Sequence, residues 1–360
     1  MTWRVPLRLV WPTGPGAFRL WLAMLVFVHH FSSLDVGPSA VYVFFALSGF
    51  WLQGMWMGRY RDTRQPYLTY MVSRVWRLAP VMILVSAFTI PVLLAIGAAS
   101  RTLFSNAWHL AFSSVFLLGY AALPQRPVGS AWSLDVEMQF YLVAPLIAAW
   151  LARKRAWPVV VAAAVLSAAA ALFVEATVLP RYAIFFVAGM AASAKGWQPP
   201  RWLALASALA FVPAVVGIAL SPWRSLVLGG SHVGPLFVWN PLLDVVLGVV
   251  AVPFALYTVR QPSDAADRML ADLSYIVYLV HWPAMQWFFT LAGRPFAQRL
   301  AGAALCFAVV PAISLVIWRW FDKPLNRARG RWVSSRLPLR RDGPPPATEA
   351  PPIAREPAGP

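Results

Sequence analysis

The stretch RKRAWPVVVAAAVLSAAAALF, residues 153–173, sets three cations against an apolar run that carries no charge until Glu175. A helix needs about 17–25 mostly apolar residues to cross a bilayer core, so the run predicts a membrane span with a basic link at one end. Comparable segments fall at about 19–35, 38–57, 78–98, 104–123, 138–152, 157–175, 181–195, 201–220, 236–258, 271–292 and 299–320. Composition agrees: of 360 residues 60% are hydrophobic and 12% charged, roughly half the charged fraction of a soluble domain. The predicted fold class is an all-α polytopic membrane protein.

Charge then tests how many segments cross. Basic clusters follow the second segment (Arg59, Arg61, Arg64, Arg74, Arg77), the fifth (Arg153, Lys154, Arg155), the seventh (Lys195, Arg201), the ninth (Arg260, Arg268) and the last (Arg319 to Arg341). If each is cytoplasmic, an even number of crossings separates successive clusters. Three candidates lie between the first two clusters, so one of them does not cross. The weakest is 104–123, which carries Asn106, His109, Ser113 and Ser114. It is expected to re-enter or to lie along the outer interface. About ten transmembrane helices result, with both termini cytoplasmic. Residues 1–330 then form one transmembrane domain, and the Pro-rich stretch DGPPPATEAPPIAREPAGP, 342–360, a disordered cytoplasmic tail.

The net charge of +17 resides mostly in these links, which sets aside a nucleic-acid partner and leaves the lipid bilayer as the one composition implies. The single cysteine, Cys306, excludes an intrachain disulfide and a multi-cysteine metal site. The opening MTWRVPLRLVWP lacks a cleavable signal pattern.

Ionisable groups inside apolar segments mark functional paths more often than packing. Ten residues separate Arg19 from His30, about three helical turns, so on a helix they project from nearly the same face. A neutral imidazole there can take a proton from a hydroxyl. Adjacent helical residues diverge, so His29 and His30 do not converge on zinc, and no metal is expected. In the second segment Phe44, Phe45, Ser48 and Gly49 offer aromatic bulk beside a small surface for close approach. Arg74 and Arg77 share a face, either as a topology signal or as cations for donor phosphates. Ser133, Asp135 and Glu137 gather at a membrane boundary in a chain with only thirteen acidic residues. Asp135 or Glu137 is placed to orient His30, to accept a proton, or to cap a helix beginning near Val136. Late in the chain come Ser274, Tyr275, Tyr278 and His281, for which an interfacial aromatic belt is the plain account.

Taken in order, these stretches resemble the membrane acyltransferase-3 family, which O-acylates bacterial surface sugars. The resemblance rests on Arg19 spaced from His30, FFALSGF at 44–50, RVWRLAP at 74–80, WSLDVEMQFYLVAPL at 132–146, SYIVYLVHWP at 274–283 and FDKP at 321–324. It implies an integral O-acyltransferase of the bacterial inner membrane. Its donor would be cytosolic acetyl-CoA or another acyl-CoA. Its acceptor would be a hydroxyl of an extracytoplasmic sugar, by default exopolysaccharide or lipopolysaccharide, with polysaccharide-assembly proteins as further partners. By the same resemblance His30 is catalytic with Arg19 as its basic partner, Ser133 and Glu137 belong to the catalytic set, and Arg74 and Arg77 bind the donor. Ser48, Tyr275, Tyr278 and His281 are then substrate-site candidates. The chain departs from the family pattern at Met138, where a second glutamate is frequent, at Tyr42 for aspartate, and at Asp322 for glutamate. The competing expectation is a proton-coupled transporter using His30, Glu137 and Arg19 as a relay; the lack of an internal repeat counts against it.

Overall fold

A computed structural model describes residues 13–153, 155–230 and 233–337. The expectations for the N-terminal MTWRVPLRLVWP and for the 342–360 tail fall outside the described residues. The helices are α1 (Pro15–Phe31), α2 (Gly37–Gly58), α3 (Pro66–Ala95), α4 (Ala107–Phe116), α5 (Trp132–Arg153) and α6 (Ala156–Phe173). They continue with α7 (Ala183–Ala194), α8 (Arg201–Ala219), α9 (Asn240–Thr258), α10 (Ala265–Phe289), α11 (Phe296–Ile317) and α12 (Lys323–Ser335). Among the described residues there is no strand beyond one antiparallel bridge, Leu34 to Leu228.

Seven of these rods are long and apolar enough to cross a membrane: α2, α3, α5, α6, α8, α9 and the continuous α11–α12. Into the same bundle pack α1 against α10 and α7 against α2. Among the described residues, ten helices therefore build the core, beside the about ten spans expected from the charge pattern. The protein is an all-α, multi-pass membrane protein. The run that opened the reading, now α6, buries only 17% of its apolar window, as does α8; their outward apolar faces suit lipid.

Helix α4, inside the 104–123 segment, has ten residues, about 15 Å of rise against a core of about 30 Å, too short to cross. It ends at Leu117 in the left-handed conformation, φ 56°, and the chain turns back through Gly119, φ 72°. Asp135 accepts from the Gly119 and Ala121 amides at 3.2 and 2.8 Å. This corrects the capping expectation for Asp135: α5 begins at Trp132, and the carboxylate ties down the preceding loop.

Other boundaries also move. Helix α3 starts at Pro66 and α10 at Ala265, well before the apolar segments at 78 and 271. Proline at the first helical position gives α3 its preset φ, and Arg77 of α3 and Asp267 of α10 find partners within the bundle, so charge does not break either helix.

Two close approaches fix the helices that carry the site. Gly49 of α2 and Gly189 of α7 pack into each other's backbones, where an added Cβ would overlap the Phe186 and Ala46 carbonyls. Such small residues let membrane helices meet at backbone distance, as the sequence suggested for Gly49. The N-terminus of α1 has no cap of its own. Asp267 of α10 supplies one, accepting from the Gly16 amide at 3.1 Å and the Ala17 amide at 2.9 Å. The anionic carboxylate answers both the orphan N–H groups and the positive end of the helix dipole.

Candidate active site

Helices α1, α2, α5 and α10 enclose a cavity of about 60 Å³ lined by Arg19, Phe44, Ser48, Ser133, Glu137, Ser274, Tyr275 and Tyr278. Six of the ten candidates from sequence thus converge: Arg19, Ser48, Ser133, Glu137, Tyr275 and Tyr278. The remaining four flank it, His30 and His281 on one side, Arg74 and Arg77 on the other.

Glu137 is the hub on the arginine side. It accepts from Ser48 Oγ and from Tyr141 Oη, the latter at 2.5 Å. Tyr141 lies one turn further along α5, and its ring faces the Arg74 guanidinium at 5.8 Å. Arg74 Nη2 in turn donates to Tyr60 Oη at 2.8 Å. Arg19 has its guanidinium over the Phe44 ring at 6.0 Å, and its buried Nε has no hydrogen-bond partner. A buried donor without a partner is uncommon in folded proteins.

On the histidine side, Tyr278 Oη donates to the Ser130 carbonyl at 2.8 Å and lies 2.7 Å from Ser133 Oγ. The Tyr278 ring meets His281 at 6.0 Å. His281, completely buried, stacks on His30 with ring centres 5.2 Å apart and planes 14° from parallel. Its Nδ1 lies 3.1 Å from the Val277 carbonyl. A carbonyl only accepts, so Nδ1 carries the proton and Nε2 the free lone pair; Nε2 has no partner. Trp282 closes the other face of His30, edge-on at 5.4 Å.

His29 turns aside, as helical geometry predicted. Its Nδ1 lies 3.2 Å from the Leu34 carbonyl and 3.4 Å from Asp35, and its ring touches His30 at 4.5 Å. The suggested orientation of His30 by Asp135 or Glu137 is not what the fold builds: both carboxylates are engaged elsewhere, and rings hold His30. Nor do Arg19 and His30 meet, since the eleven-residue step along α1 separates them by about 16 Å of rise.

Arg74 and Arg77 part company. Arg77 is fixed by Asp272 at 3.0 Å and Asp322 at 3.1 Å, whereas Arg74 sits among Tyr60, Tyr70 and Tyr141. Sequence reasoning missed Tyr60, Tyr141, Asp272 and Trp282. Only Tyr141 had a visible signal, its four-residue spacing from Glu137, which makes the two neighbours on a helix. Among the described residues no three His, Cys, Asp or Glu side chains gather as metal ligands.

The sequence model of one family, described as an acyltransferase domain, matches residues 13–319. No curated protein and no solved structure matches this chain.

Proposed function

The chain belongs to the membrane acyltransferase-3 family, and from that premise we propose that it transfers an acetyl group from cytosolic acetyl-CoA to a hydroxyl of an extracytoplasmic sugar. The observation that carries this reading is the line of polar groups through an otherwise apolar bundle. It runs from Arg74 through Tyr141, Glu137 and Ser48 to the cavity, and on through Tyr278 and His281 to His30. A membrane protein retains such groups at depth for a path or a reaction. The cavity is far below the roughly 300–1,000 Å³ of a pocket for a drug-sized ligand, which suits a thin acyl-bearing arm and disfavours passage of a sugar.

Arg74 provides the charge for the donor's phosphates, and Arg19, which lines the cavity, hydrogen-bonds the arm. His30 takes the proton from the acceptor hydroxyl as its oxygen attacks the thioester carbonyl. The same proton leaves His30 for the departing sulfur, so the products are the sugar ester and a free thiol. His281, its proton fixed on Nδ1, offers His30 a neutral stacking partner instead of a competing cation.

Acceptor deprotonation by a positioned base is worth about 10²–10⁴-fold. His30→Ala should therefore give a folded protein whose cells lose the acetyl mass from surface glycans by mass spectrometry; unchanged acetylation would end this assignment. Glu137→Gln keeps an oxygen for Ser48 and Tyr141 but removes the charge. It should express normally while turnover falls by about 10²-fold, and normal turnover would reduce Glu137 to a structural acceptor.

A further inference from the structure

We infer that Arg329 of α12 joins Arg74 in a phosphate-binding site at the Arg74 end of the bundle. Its occupant, if the acyl-CoA reading above holds, is a phosphate of the donor.

Arg74 is 6% exposed and has no carboxylate partner; Tyr60 and the Met55 sulfur are its contacts through Nη2. Its Nε is buried and donates to nothing. The two nearby carboxylates, Asp272 and Asp322, are both held by Arg77. Arg329 approaches from the other side, with Nη1 3.4 Å from the carbonyl of Ser73, the residue before Arg74. Its Nε is likewise buried and unpartnered. Arg74 and Arg77 oppose the charge of Arg329, and Tyr60 and then Asp322 offset it. Among the described residues, neither Arg74 nor Arg329 has a carboxylate at ion-pair distance. A buried cation without an anion is costly, and guanidinium groups with free N–H bonds match a phosphate's oxygens in geometry and charge.

The placement of Arg329 is built. Arg59 Nη2 donates to the Gly330 carbonyl at 3.3 Å and to Ser334 Oγ at 2.9 Å, and Trp332 packs on Trp76 of α3 at 5.9 Å. The Arg64 amide donates to the Arg336 carbonyl at 3.0 Å. These contacts clamp α12 across the mouth of α3. The matched family segment ends at residue 319, so Arg329 lies beyond what that match covers.

The test uses the full chain purified in detergent, titrated with inorganic pyrophosphate and with CoA by calorimetry. Co-purified anionic phospholipid, the other source of a phosphate, is scored by native mass spectrometry. Arg329→Gln should weaken binding of the phosphate ligand about 10- to 100-fold, the loss expected for a charge-assisted contact, and raise the KM for acetyl-CoA with kcat largely kept. Arg329→Lys, which keeps the charge but not the fork, should fall between. Arg327→Gln, the same charge change at an exposed position on α12, should change nothing. If Arg329→Gln binds pyrophosphate, CoA and phospholipid as the wild type does, the site is refuted while the acyltransferase reading survives. If the wild type binds pyrophosphate or phospholipid but not CoA, the phosphate site stands and the donor reading falls. Wild-type binding of none of the three refutes the site. Should Arg329→Gln fail to fold, Arg329→Lys decides: affinity equal to wild type overturns the proposal.

Discussion

Two arginines one helical turn apart do different work because their surroundings differ. Arg77 neutralises Asp322, whose side chain is 3% exposed, and the more exposed Asp272. Removing one partner of a buried ion pair costs roughly 3–5 kcal/mol; the half-open contact to Asp272 adds little. Arg77→Ala should therefore lower the thermal midpoint in detergent and the yield, whereas Arg74→Ala, which strands no carboxylate, should fold and lose donor affinity. Equal stability of the two variants would contradict this division. The same reasoning applies to Asp267. Its replacement by Ala orphans the Gly16 and Ala17 amides at the head of α1, at about 1–3 kcal/mol. Since α1 carries both Arg19 and His30, activity should fall with the melting temperature; an unchanged midpoint would show that water replaces the cap.

At the scale of elements, the join between α11 and α12 is the decisive detail. Residues Trp318–Asp322 form a π-helical turn, one residue wider than α-helical spacing. That extra residue rotates everything after it by about 100° relative to a continuous helix. It brings Asp322 onto Arg77 and Arg329 onto the α3 backbone. Trp320 in this turn is 74% exposed, so Trp320→Ala should be nearly silent. Inserting an alanine after Trp320 adds about 100° to everything that follows, and should swing Asp322 off Arg77 and abolish both stability and donor binding. Should the insertion variant match wild type in thermal melting, the turn has no positioning role. The glycine contact between α2 and α7 is the other element-level device, letting the two backbones meet because neither is held away by a Cβ.

Across the whole molecule, contacts sort the chain into two ends. Gly16, Arg74, Arg77, Asp267, Asp272, Asp322 and Arg329 meet at one. At the other lie His30, Asp35, Asn240 and His281, with Asn240 Nδ2 donating to the Asp35 carbonyl at 2.8 Å. Ten helices running alternately up and down satisfy this division with no violation, provided α4 does not cross. The basic residues at 59–64, 195–201 and 260–268, with Arg153 and Arg155, then share the Arg74 end, for which the positive-inside rule predicts the cytoplasmic side. A cysteine at exposed Glu175 should react with an impermeant maleimide added to whole cells, and one at exposed Gln198 should not. Cys306, 3% exposed, should stay silent in both. Labelling of both introduced positions, or of Gln198→Cys alone, would contradict the orientation.

The number of helices, the short segment that fails to cross and the family were all legible in the amino-acid sequence. They depend on properties that run along the chain: apolar length, the sign of charge in links, and motifs in a fixed order. The convergence of Arg19, Ser48, Ser133, Glu137, Tyr275 and Tyr278 was legible as a list but not as a place. Only the tertiary structure decided which ionisable groups meet. The partners of Arg77 lie 195 and 245 positions away, and the cap of α1 comes from 251 positions away. Whether a given arginine is neutralised or left free depends on the rotation of each helix about its axis, and here one extra residue in a π-turn sets that rotation. Local sequence carries no record of it, because the energy that selects it is the pairing of charges in a low-dielectric interior, a property of neighbours in space.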